Sequence, residues 1–481
     1  MYFKIKNTIM FRKYSNYGYI TDNAMFGYRF LNDQSIWPGE RYVSESGSVM
    51  LDQLSKEPKS IDAIIADLLD IFIDVDVIEL KNDVTEFYMQ FVMDGFLTCG
   101  ETAAQCIEND KNAESYDITQ EKCQSSAQVV DCSRNLFNQS DFLRSIHIEI
   151  ASECNERCVH CYIPHEKKTE TININLLHKI LEQGRASNII NVTLSGGEPL
   201  LHKDIISILG KCRELDLSVN LLSNLTLLND DIILEMTKNP LLSVQTSIYS
   251  MDAKIHDFIT KVNGSFEKTK TNLLKLCSLG IPVQISCPIM KQNKDTFMDV
   301  VDWGNSHNIS VSTDYVIFAA YDHSNTNLCN RLTLEEISTA VDKQMSDDYA
   351  DALYKIAEEK KTLTSESPIC PICRYNFCVS AEGKVFPCVG WQTNIIDDLN
   401  EKSVKEIWET SKAIDSLRKI KRKNFPKCVS CNDRGYCTVC MMSNSNETSD
   451  GNAFVVDEYH CKVASIIRKK VEDYSINSKK Q

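Results

Sequence analysis

The sequence predicts an α/β protein whose centre is a partial, TIM-like (β/α)6 barrel, with a winged-helix-like domain before it and a cysteine-rich domain after it. From residue 145 onwards, six short apolar runs alternate with helical patterns, which is typical of a parallel sheet with right-handed crossovers. The first 98 residues combine aromatic-rich runs with short helical patterns, and nine of the 20 cysteines lie beyond residue 369. We therefore expect domains at 1–98, 141–345 and 346–481, with a linker or cap at 99–140.

Length and charge restrict the classes of function. The 481 residues suggest about three domains. The net charge of −15 makes nucleic acid a poor partner, because an acidic protein gains nothing from releasing phosphate counterions. The N-terminus has no apolar stretch long enough for a signal peptide or a membrane span, so we expect a soluble, cytoplasmic protein without a membrane partner. In that setting, 20 cysteines favour metal ligation over a secreted disulfide framework.

The N-terminal domain begins with two β-favouring runs. Phe3–Phe11 and Tyr17–Phe30 are separated by an Asn-Tyr-Gly turn, which predicts a hairpin. Ser60–Phe72 has apolar residues at helical spacing behind a serine N-cap, and Val84–Met93 predicts another short helix. A hairpin with small helices indicates a winged-helix-like module.

Polar residues dominate the segment from Thr98 to Gln139. Its lack of periodicity predicts a linker or a mobile cap. The thiols of this segment are either incidental or have a regulatory or cluster-contacting role, and both interpretations stay open. The segment's cysteines are Cys99, Cys106, Cys123 and Cys132.

Six strand–helix units make up the predicted barrel. The predicted strands are Ile146–Ile150, Asn191–Leu194, Leu217–Leu222, Leu242–Ile248, Val283–Ile289 and Ser310–Phe318. The helical patterns between them include Ile174–Ala186, Lys203–Leu215, Gly264–Leu279 and Lys294–His307. A cysteine-rich loop follows the first strand, at the carboxyl edge where the active sites of such folds collect.

This loop contains Cys154, Cys158 and Cys161 in a C-x3-C-x2-C spacing. Thiolates are the ligands that iron–sulfur clusters use, and a set of three leaves one iron of a cubic cluster open to a small molecule. The alternative is a structural zinc site, which needs four ligands, with His160 or His165 as the fourth.

The loop resembles that of radical S-adenosylmethionine (SAM) enzymes, and the resemblance continues in Ser195-Gly-Gly-Glu-Pro199 after the second strand. It implies that a 4Fe–4S cluster binds the methionine amine and carboxylate of SAM at its open iron. It also implies that the glycine-rich segment holds the methionine ammonium. The resemblance assigns this segment and the neighbours of the last cysteine to the SAM site: Gly196, Gly197, Glu198, His160 and Tyr162.

Weaker matches follow the third and fourth strands. Ser223 and Asn224 end the third strand, where the family contacts methionine or ribose, and Ser247 is a candidate ribose contact after the fourth. Strand-end capping explains each of these residues equally well. The downstream His256-Asp257 and Gly264-Ser-Phe266 also resemble the family. Many relatives place an arginine near Thr260-Lys261 for the SAM carboxylate; this chain has none there, so Lys261 or another group would substitute.

The C-terminal cysteines resemble the SPASM domain, an extension of radical SAM peptide maturases that carries two auxiliary 4Fe–4S clusters. By this resemblance, the second auxiliary cluster is held by Cys428, Cys431, Cys437 and Cys461. The first is held by Cys370, Cys388 and Cys440, with Cys373 or Cys378 as the fourth ligand or with one iron open to a substrate thiolate. The gap before Cys440 is two residues instead of the usual three. The alternative is a zinc ribbon of Cys428, Cys431, Cys437 and Cys440.

In many such maturases, a winged-helix-like RiPP recognition element captures the leader of a ribosomally made precursor peptide. The leader adds a strand to an exposed sheet edge. A DNA-reading winged helix is the competing interpretation. Residues 1–98 carry nine Lys and Arg against 15 Asp and Glu, a net of −6 that would repel phosphate, so we favour leader capture.

The resemblance as a whole implies a radical SAM/SPASM maturase with SAM and three 4Fe–4S clusters. Its partners would be a precursor peptide with a leader and an external one-electron donor such as flavodoxin or ferredoxin. The favoured product is a thioether between a cysteine sulfur and a backbone α-carbon, as in sactipeptides, and a link to a β- or γ-carbon is an alternative. Carbon–carbon crosslinking and formylglycine formation, as in sulfatase maturation, are the alternatives. A non-enzymatic electron-transfer or iron–sulfur regulatory protein also stays open.

Overall fold

The computed structural model describes residues 1–23, 39–111 and 142–478. Cys123, Cys132 and the part of the Tyr17–Phe30 run beyond Asn23 lie outside the described residues. None of the helices described there is long and apolar enough to cross a lipid bilayer.

Two small antiparallel sheets and four helices form the N-terminal unit. One sheet has the order β5-β1-β6 and the other the order β2-β3-β4. The strands are β1 (Tyr2–Ile5), β2 (Met10–Lys13), β3 (Gly18–Thr21), β4 (Glu40–Val43), β5 (Lys59–Ser60) and β6 (Leu97–Gly100). The helices are α1 (Glu45–Leu51), α2 (Ile61–Leu69), α3 (Val77–Met93) and α4 (Ala103–Lys111).

The hairpin predicted in this unit is present, but the first apolar run is divided. Phe3–Phe11 supplies β1 to one sheet and the start of β2 to the other, and β2 pairs with β3 across the Tyr14–Tyr17 turn. The helix predicted behind Ser60 begins there, with the Ser60 hydroxyl accepting a hydrogen bond from the Ala63 amide.

Ordered elements of the N-terminal unit continue past residue 98, where the sequence places the start of a linker. Strand β6 pairs with β1, and α4 packs against both. Cys106 is fully buried, and its thiol donates to the Thr98 carbonyl oxygen at 3.5 Å. We therefore assign Cys106 to the core of this unit; the first linker residues are ordered because they complete its sheet.

The barrel is a row of six parallel strands. These are β7 (Ser145–Ala151), β8 (Asn191–Gly196), β9 (Ser218–Leu222), β10 (Leu242–Ser247), β11 (Val283–Pro288) and β12 (Ser310–Asp314). The helices that follow are α5 (Ile174–Ala186), α6 (Ile205–Glu214), α7 (Asp230–Thr237), α8 (Ala253–Thr260), α9 (Ser265–Ser278), α10 (Phe297–Ser306) and α11 (Leu334–Gln344). The predicted strand–helix alternation is confirmed.

Alternate residues of each barrel strand face opposite sides of the sheet. On β7, Ile146, Ile148 and Ile150 are fully buried in the main hydrophobic core. His147 and Glu149 occupy the intervening positions and therefore face the inside of the barrel. The outer face is apolar because the helices cover it, and the inner face carries polar side chains around a lumen.

The C-terminal domain continues the barrel sheet. Its first strand pairs in parallel with β7, with Cys378 opposite His147, and the full sheet order is β12-β11-β10-β9-β8-β7-β13-β14-β15. The domain's strands are β13 (Asn376–Val379), β14 (Lys384–Phe386) and β15 (Asp397–Asp398). Its helices are α12 (Asp347–Lys361), α13 (Val404–Thr410), α14 (Lys412–Arg418), α15 (Pro426–Val429), α16 (Met441–Glu447) and α17 (Glu458–Ser478).

A buried arginine joins the N-terminal unit to the barrel. Arg12 is 1% exposed, and its guanidinium donates to the Ile189 carbonyl oxygen at 3.1 Å and to the Asp216 carboxylate at 3.0 Å. It also donates to the Asp216 carbonyl oxygen. Ile189 and Asp216 come just before β8 and β9, so the N-terminal unit contacts the amino end of the barrel strands.

We expect Arg12→Ala to destabilise the protein by about 3 kcal/mol, because it leaves buried acceptors without their donor. The measurement is denaturant unfolding, together with the rate of limited proteolysis in the N-terminal unit. Lys13→Ala is the matched control, since Lys13 pairs with Asp52 at 3.0 Å where both side chains are more than 40% exposed. It should cost about 1 kcal/mol at most. Equal costs for the two variants would contradict the proposed role of Arg12.

Candidate active site and cysteine clusters

The first cysteine loop lies at the carboxyl end of β7 and is held against the end of α8. The Arg157 amide donates to the Thr260 carbonyl oxygen at 3.0 Å, and the Val159 amide to that of Ile259 at 2.9 Å. These bonds fix the loop on the side of the barrel where its lumen opens.

The structure brings the three predicted sulfurs of this loop together. Burial, then Glu156 and the two other cysteines, raises the pKa of the Cys158 thiol well above its ordinary value. Burial likewise raises the pKa of Cys154 to about 11. Burial therefore favours the neutral thiol forms of Cys154 and Cys158, and a bound cluster would displace their protons.

The two glycines of the second motif allow backbone segments to meet. A Cβ on Gly196 would lie 1.9 Å from the Ala151 carbonyl oxygen, and one on Gly197 would lie 2.3 Å from that of Glu153. The Gly197 amide donates to the Ala151 carbonyl oxygen at 2.6 Å. These residues therefore press the end of β8 against the start of the cysteine loop, where any side chain would collide with main-chain atoms.

The Glu198 side chain connects the carboxyl ends of β8 and β9. It is fully buried, and its carboxylate accepts hydrogen bonds from the Ser223 hydroxyl at 2.7 Å, the Asn224 amide at 2.8 Å and the Leu200 amide at 3.0 Å. Burial raises the pKa of Glu198 to about 7, against the effect of these donors. The side-chain amide of Asn224 then donates to Asn155 in the cysteine loop at 2.8 Å. Three predicted cofactor contacts thus form a network that supports the loop.

Tyr249, which follows the fourth barrel strand β10, forms an aromatic wall beside Cys158. The hydroxyl of Tyr249 lies 4.0 Å from the Cys158 sulfur and hydrogen-bonds to Ser247. The Tyr249 ring packs against that of His160 with 5.1 Å between centroids. Ser247 and His160, both predicted site residues, are therefore brought to the same wall.

The downstream motifs also come together. The Asp257 carboxylate accepts bonds from the Gly264 amide at 2.6 Å, the Phe266 amide at 2.9 Å and the Ser265 hydroxyl at 2.9 Å, and so caps α9. The Lys261 ammonium, in contrast, lies 3.8 Å from the ring centre of Phe258, a side chain that is 53% exposed. The structure thus places Lys261 on an exposed aromatic ring.

The residues around the loop fit an iron–sulfur cluster. The donor set is three thiols from one loop, which leaves one coordination position for another molecule. In the described part of the chain, Glu156 Oε1 and His160 Nδ1 are buried beside these thiols without a hydrogen-bond partner. Such groups indicate that polar atoms of a bound molecule complete the site.

The four cysteines predicted to hold the second auxiliary cluster line one cavity. Its volume is about 450 Å³, and Cys428, Cys431, Cys437 and Cys461 are among its lining residues. Burial, then Cys461, Cys428 and Cys431, raises the pKa of Cys437 to about 12. Cys440 does not line this cavity. The arrangement differs from the zinc-ribbon alternative, which requires Cys440 in the place of Cys461.

Five further cysteines gather near the barrel. Burial and then Cys388 raise the pKa of Cys440 to about 11, and burial followed by Cys440 raises that of Cys370. Cys373 interacts with both Cys370 and Cys388, and it is fully buried with a φ of +55°. Cys378 interacts with Cys388 and Cys373 from its position on β13.

Comparison with protein families agrees with this geometry. Residues 148–304 match the radical SAM superfamily, and residues 370–432 match the iron–sulfur cluster-binding SPASM domain.

The chain contains a radical SAM domain and a SPASM domain, and it is an enzyme.

Several curated proteins are similar to this radical SAM enzyme. The PqqA peptide cyclase of Rhodopseudomonas palustris is 23% identical over 307 residues, which cover 60% of this chain and 78% of the relative. The AdoMet-dependent heme synthase of Methanosarcina barkeri is 23% identical over 66% of this chain and 96% of its own length. The sporulation killing factor maturation protein SkfB of Bacillus subtilis is 28% identical over 33% of this chain and 38% of the relative.

Solved structures share the fold. Streptococcus suis SuiB bound to its precursor peptide SuiA superposes with a TM-score of 0.60 at 14% identity, covering 95% of this chain and 99% of that one. The enzyme anSMEcpe with bound AdoMet gives a TM-score of 0.56 at 16% identity, covering 70% of this chain and 95% of that one. The predicted fold class, an α/β radical SAM core followed by a SPASM domain, is therefore confirmed.

The structure adds a polar site that the motifs did not identify. Glu149 on β7 is 3% exposed, accepts a hydrogen bond from Gln392 of the SPASM domain and interacts with the Tyr162 hydroxyl. Burial raises the pKa of Glu149 to about 7. Tyr162, a predicted SAM-site residue, is thereby placed between Cys161 and the cysteines Cys378 and Cys388. The alternation of apolar and polar residues along β7 could have identified Glu149 as a residue that faces the barrel lumen.

We expect Gly197→Ala to prevent assembly of the first cluster, because its Cβ would meet main-chain atoms of the cysteine loop that cannot move aside independently. After anaerobic reconstitution, the variant should hold about four fewer iron atoms per chain than the wild type. Gly210→Ala is the control: Gly210 is within α6, and a Cβ there would have its nearest neighbouring atom 3.5 Å away. It should keep its iron and gain up to about 1 kcal/mol of stability. Normal iron content in Gly197→Ala would refute the role given to this contact.

Proposed function

We propose that this radical SAM enzyme modifies a ribosomally made precursor peptide, joining a cysteine sulfur to a backbone α-carbon. The similarity to SuiB supports the peptide substrate of this proposal, because it spans the N-terminal unit, the barrel and the SPASM domain together, and that structure holds a precursor peptide. The PqqA peptide cyclases, whose substrate is also a peptide, support the same class of substrate.

Three 4Fe–4S clusters are assigned to the cysteine groups. Cys154, Cys158 and Cys161 would hold the SAM-binding cluster. Cys428, Cys431, Cys437 and Cys461 would hold the second auxiliary cluster around their shared cavity. For the first auxiliary cluster we assign Cys370, Cys373, Cys388 and Cys440, because Cys373 interacts with two of the others and has a strained left-handed backbone that a bound ligand would stabilise. When bound, SAM and its cluster supply the 5′-deoxyadenosyl radical that removes hydrogen from carbon.

The chain's own residues orient the peptide and control its protons. Polar side chains on the inner barrel face provide hydrogen bonds for an extended peptide. We assign Glu149 as an acceptor for a donor group of the peptide at the junction with the SPASM domain, where Gln392 fixes its carboxylate. We assign Tyr162 and Tyr249 to the wall of this junction, since Tyr249 is 4% exposed and Tyr162 is partly buried beside the cysteine loop.

The N-terminal unit is assigned to leader capture. Strand β4 is at one edge of its three-stranded sheet, where an extended peptide can add by main-chain hydrogen bonds. Residues 1–98 have a net charge of −6, so a leader with basic residues fits this unit and nucleic acid does not.

A carbon–carbon crosslink is the second candidate product. The similarity to PqqA peptide cyclases over 60% of the chain supports a ring closed within one peptide, which either bond can provide. Both products need the same radical step and differ in the atom that is joined.

We expect Cys373→Ala to lose about four iron atoms per chain and Cys378→Ala to keep the full content of about twelve. The measurement is iron and sulfide content after anaerobic reconstitution, with electron paramagnetic resonance of the reduced clusters. Full retention by Cys373→Ala together with loss in Cys378→Ala would reverse the assignment. Retention by both would indicate an open iron in the first auxiliary cluster.

The function itself is tested with the precursor peptide, SAM and dithionite under anaerobic conditions. We expect 5′-deoxyadenosine and a peptide that has lost one hydrogen from sulfur and one from carbon, because a thioether replaces the S–H and C–H bonds. Tandem mass spectrometry locates the new bond. A product with an unchanged cysteine thiol would exclude the thioether and favour the carbon–carbon link.

Glu149→Gln provides the internal comparison for this experiment. It keeps the size of the side chain but places an amide where an acceptor is expected. It should therefore form 5′-deoxyadenosine while lowering the yield of crosslinked peptide. Glu166→Gln, an exposed change near the same loop, should behave like the wild type. Failure of the wild type to cleave SAM with all clusters loaded would favour an electron-transfer protein.

A further inference from the structure

Three lysine or arginine side chains are buried in the described part of the chain, and two of them pair with a carboxylate. Lys4 pairs with Asp110 at 2.5 Å, and Arg12 pairs with Asp216 at 3.0 Å. Lys168 is 6% exposed, and its ammonium forms no hydrogen bond or ion pair with any residue that the structure describes. Because a buried charge is costly unless an opposite charge compensates it, Lys168 requires a negative group nearby.

The backbone around Lys168 is held against the start of the first cysteine loop. The Ser152 hydroxyl donates to the Lys167 carbonyl oxygen at 2.9 Å. The Ser152 oxygen also accepts hydrogen bonds from the Thr169 amide at 3.2 Å and the Glu170 amide at 2.9 Å. The residues on both sides of Lys168 are therefore fixed to a residue at the start of this loop, and burial confines the side chain between them.

The Lys168 ammonium acts electrostatically on the cysteine loop. Burial raises the pKa of Cys154 to about 11, and Lys168 is the neighbour that most opposes this rise. Burial, followed by Lys168, lowers the pKa of His160 to about 4. Burial raises the pKa of Glu156 to about 7, and Lys168 is among the neighbours that oppose this rise. The positive charge therefore lies within electrostatic range of residues along the whole loop.

A second basic side chain beside these sulfurs is exposed. The Arg157 guanidinium donates to the carbonyl oxygens of Cys154 and Glu156, and the residue lies at the surface. Salt and water screen an exposed charge, whereas they screen a buried charge much less. Lys168 therefore makes the larger contribution to the electrostatic potential at the sulfurs of the loop.

We propose that Lys168 raises the reduction potential of the cluster held by the first cysteine loop, as its buried countercharge. This inference rests on the proposed function, which places a 4Fe–4S cluster on these three cysteines. Three thiolates outweigh the positive charge of the iron–sulfur core, so the bound group is anionic, and reduction adds one more negative charge. A fixed positive charge stabilises the more negative state, and net charge is one of the properties that set the potential of such clusters. In the reduction an external reductant loses one electron and the cluster gains it, while Lys168 forms no bond and transfers no proton.

The test measures the midpoint potential of the first cluster in the full, reconstituted enzyme without SAM. A dithionite titration is followed by electron paramagnetic resonance, and the signal of the first cluster is identified as the one that changes when SAM is added to a separate sample. Lys168→Met and Lys168→Gln remove the charge with an apolar and a polar side chain. Lys168→Arg keeps the charge, and Lys167→Met is the matched control that removes an exposed charge from the adjacent residue.

We expect Lys168→Met and Lys168→Gln to lower the ratio of reduced to oxidised first cluster about tenfold at a fixed applied potential, because the stabilising charge is gone. For a one-electron couple this corresponds to a midpoint potential about 59 mV lower. Lys168→Arg should stay close to the wild-type ratio because it keeps the charge. Lys167→Met should also stay close to it, because solvent screens the charge that it removes. All four variants should keep the wild-type iron content and the wild-type potentials of the auxiliary clusters.

An unchanged ratio in Lys168→Met and Lys168→Gln would overturn the proposal. A shift of the same size in Lys168→Arg would also overturn it, since a lost contact and not the lost charge would then be the cause. A shift that appears only with SAM present would overturn it too, because Lys168 would then act on SAM. These outcomes are separate from failure of the proposed function, which would appear in the wild type as missing iron or as no SAM cleavage with dithionite.

Discussion

The candidate site depends on the close approach of two backbone segments, Ala151–Glu153 at the start of the cysteine loop and Gly196–Gly197 at the end of β8. The Gly197 amide donates to Ala151 at 2.6 Å, a distance that no side chain on these glycines would allow. Glu198, the next residue, links this contact to the end of the third strand by accepting hydrogen bonds from Ser223 and Asn224. Because the loop's cysteines must meet one small cluster, this support decides whether their sulfurs point to a common centre.

A second constraint connects the barrel to the SPASM domain. Since β13 pairs in parallel with β7, the register that sets Cys378 opposite His147 also brings the cysteines proposed for the first auxiliary cluster close to the barrel. Glu149, two residues along β7, reaches Gln392 across the same boundary. One continuous sheet therefore connects the cysteine loop after β7 with the cysteines around β13.

The sequence predicted most of the barrel, because buried parallel strands and their covering helices have strong periodic patterns. Ile174–Ala186 was predicted with the bounds that the structure shows. The functional roles of Glu198 and Asn224 were harder to predict, since a motif shows which residues recur but not whether they touch a ligand or each other. Spacing along the chain does not decide whether Cys440 or Cys461 joins Cys437 in one ligand set. The positions of these cysteines in the fold were needed to compare the two possibilities. No sequence pattern indicates the role of Arg12, since its partners in the barrel lie more than 170 residues away.

The proposed leader site and the cysteine loop lie at opposite ends of the barrel strands. The N-terminal unit is acidic and contacts the amino end of the barrel strands through Arg12, whereas the cysteine loop lies at their carboxyl end. A barrel strand of six or seven residues is about 20 Å long, and an extended peptide advances about 3.3 Å per residue. A leader held by the N-terminal unit must therefore be followed by at least about six residues before the modified position can reach the lumen.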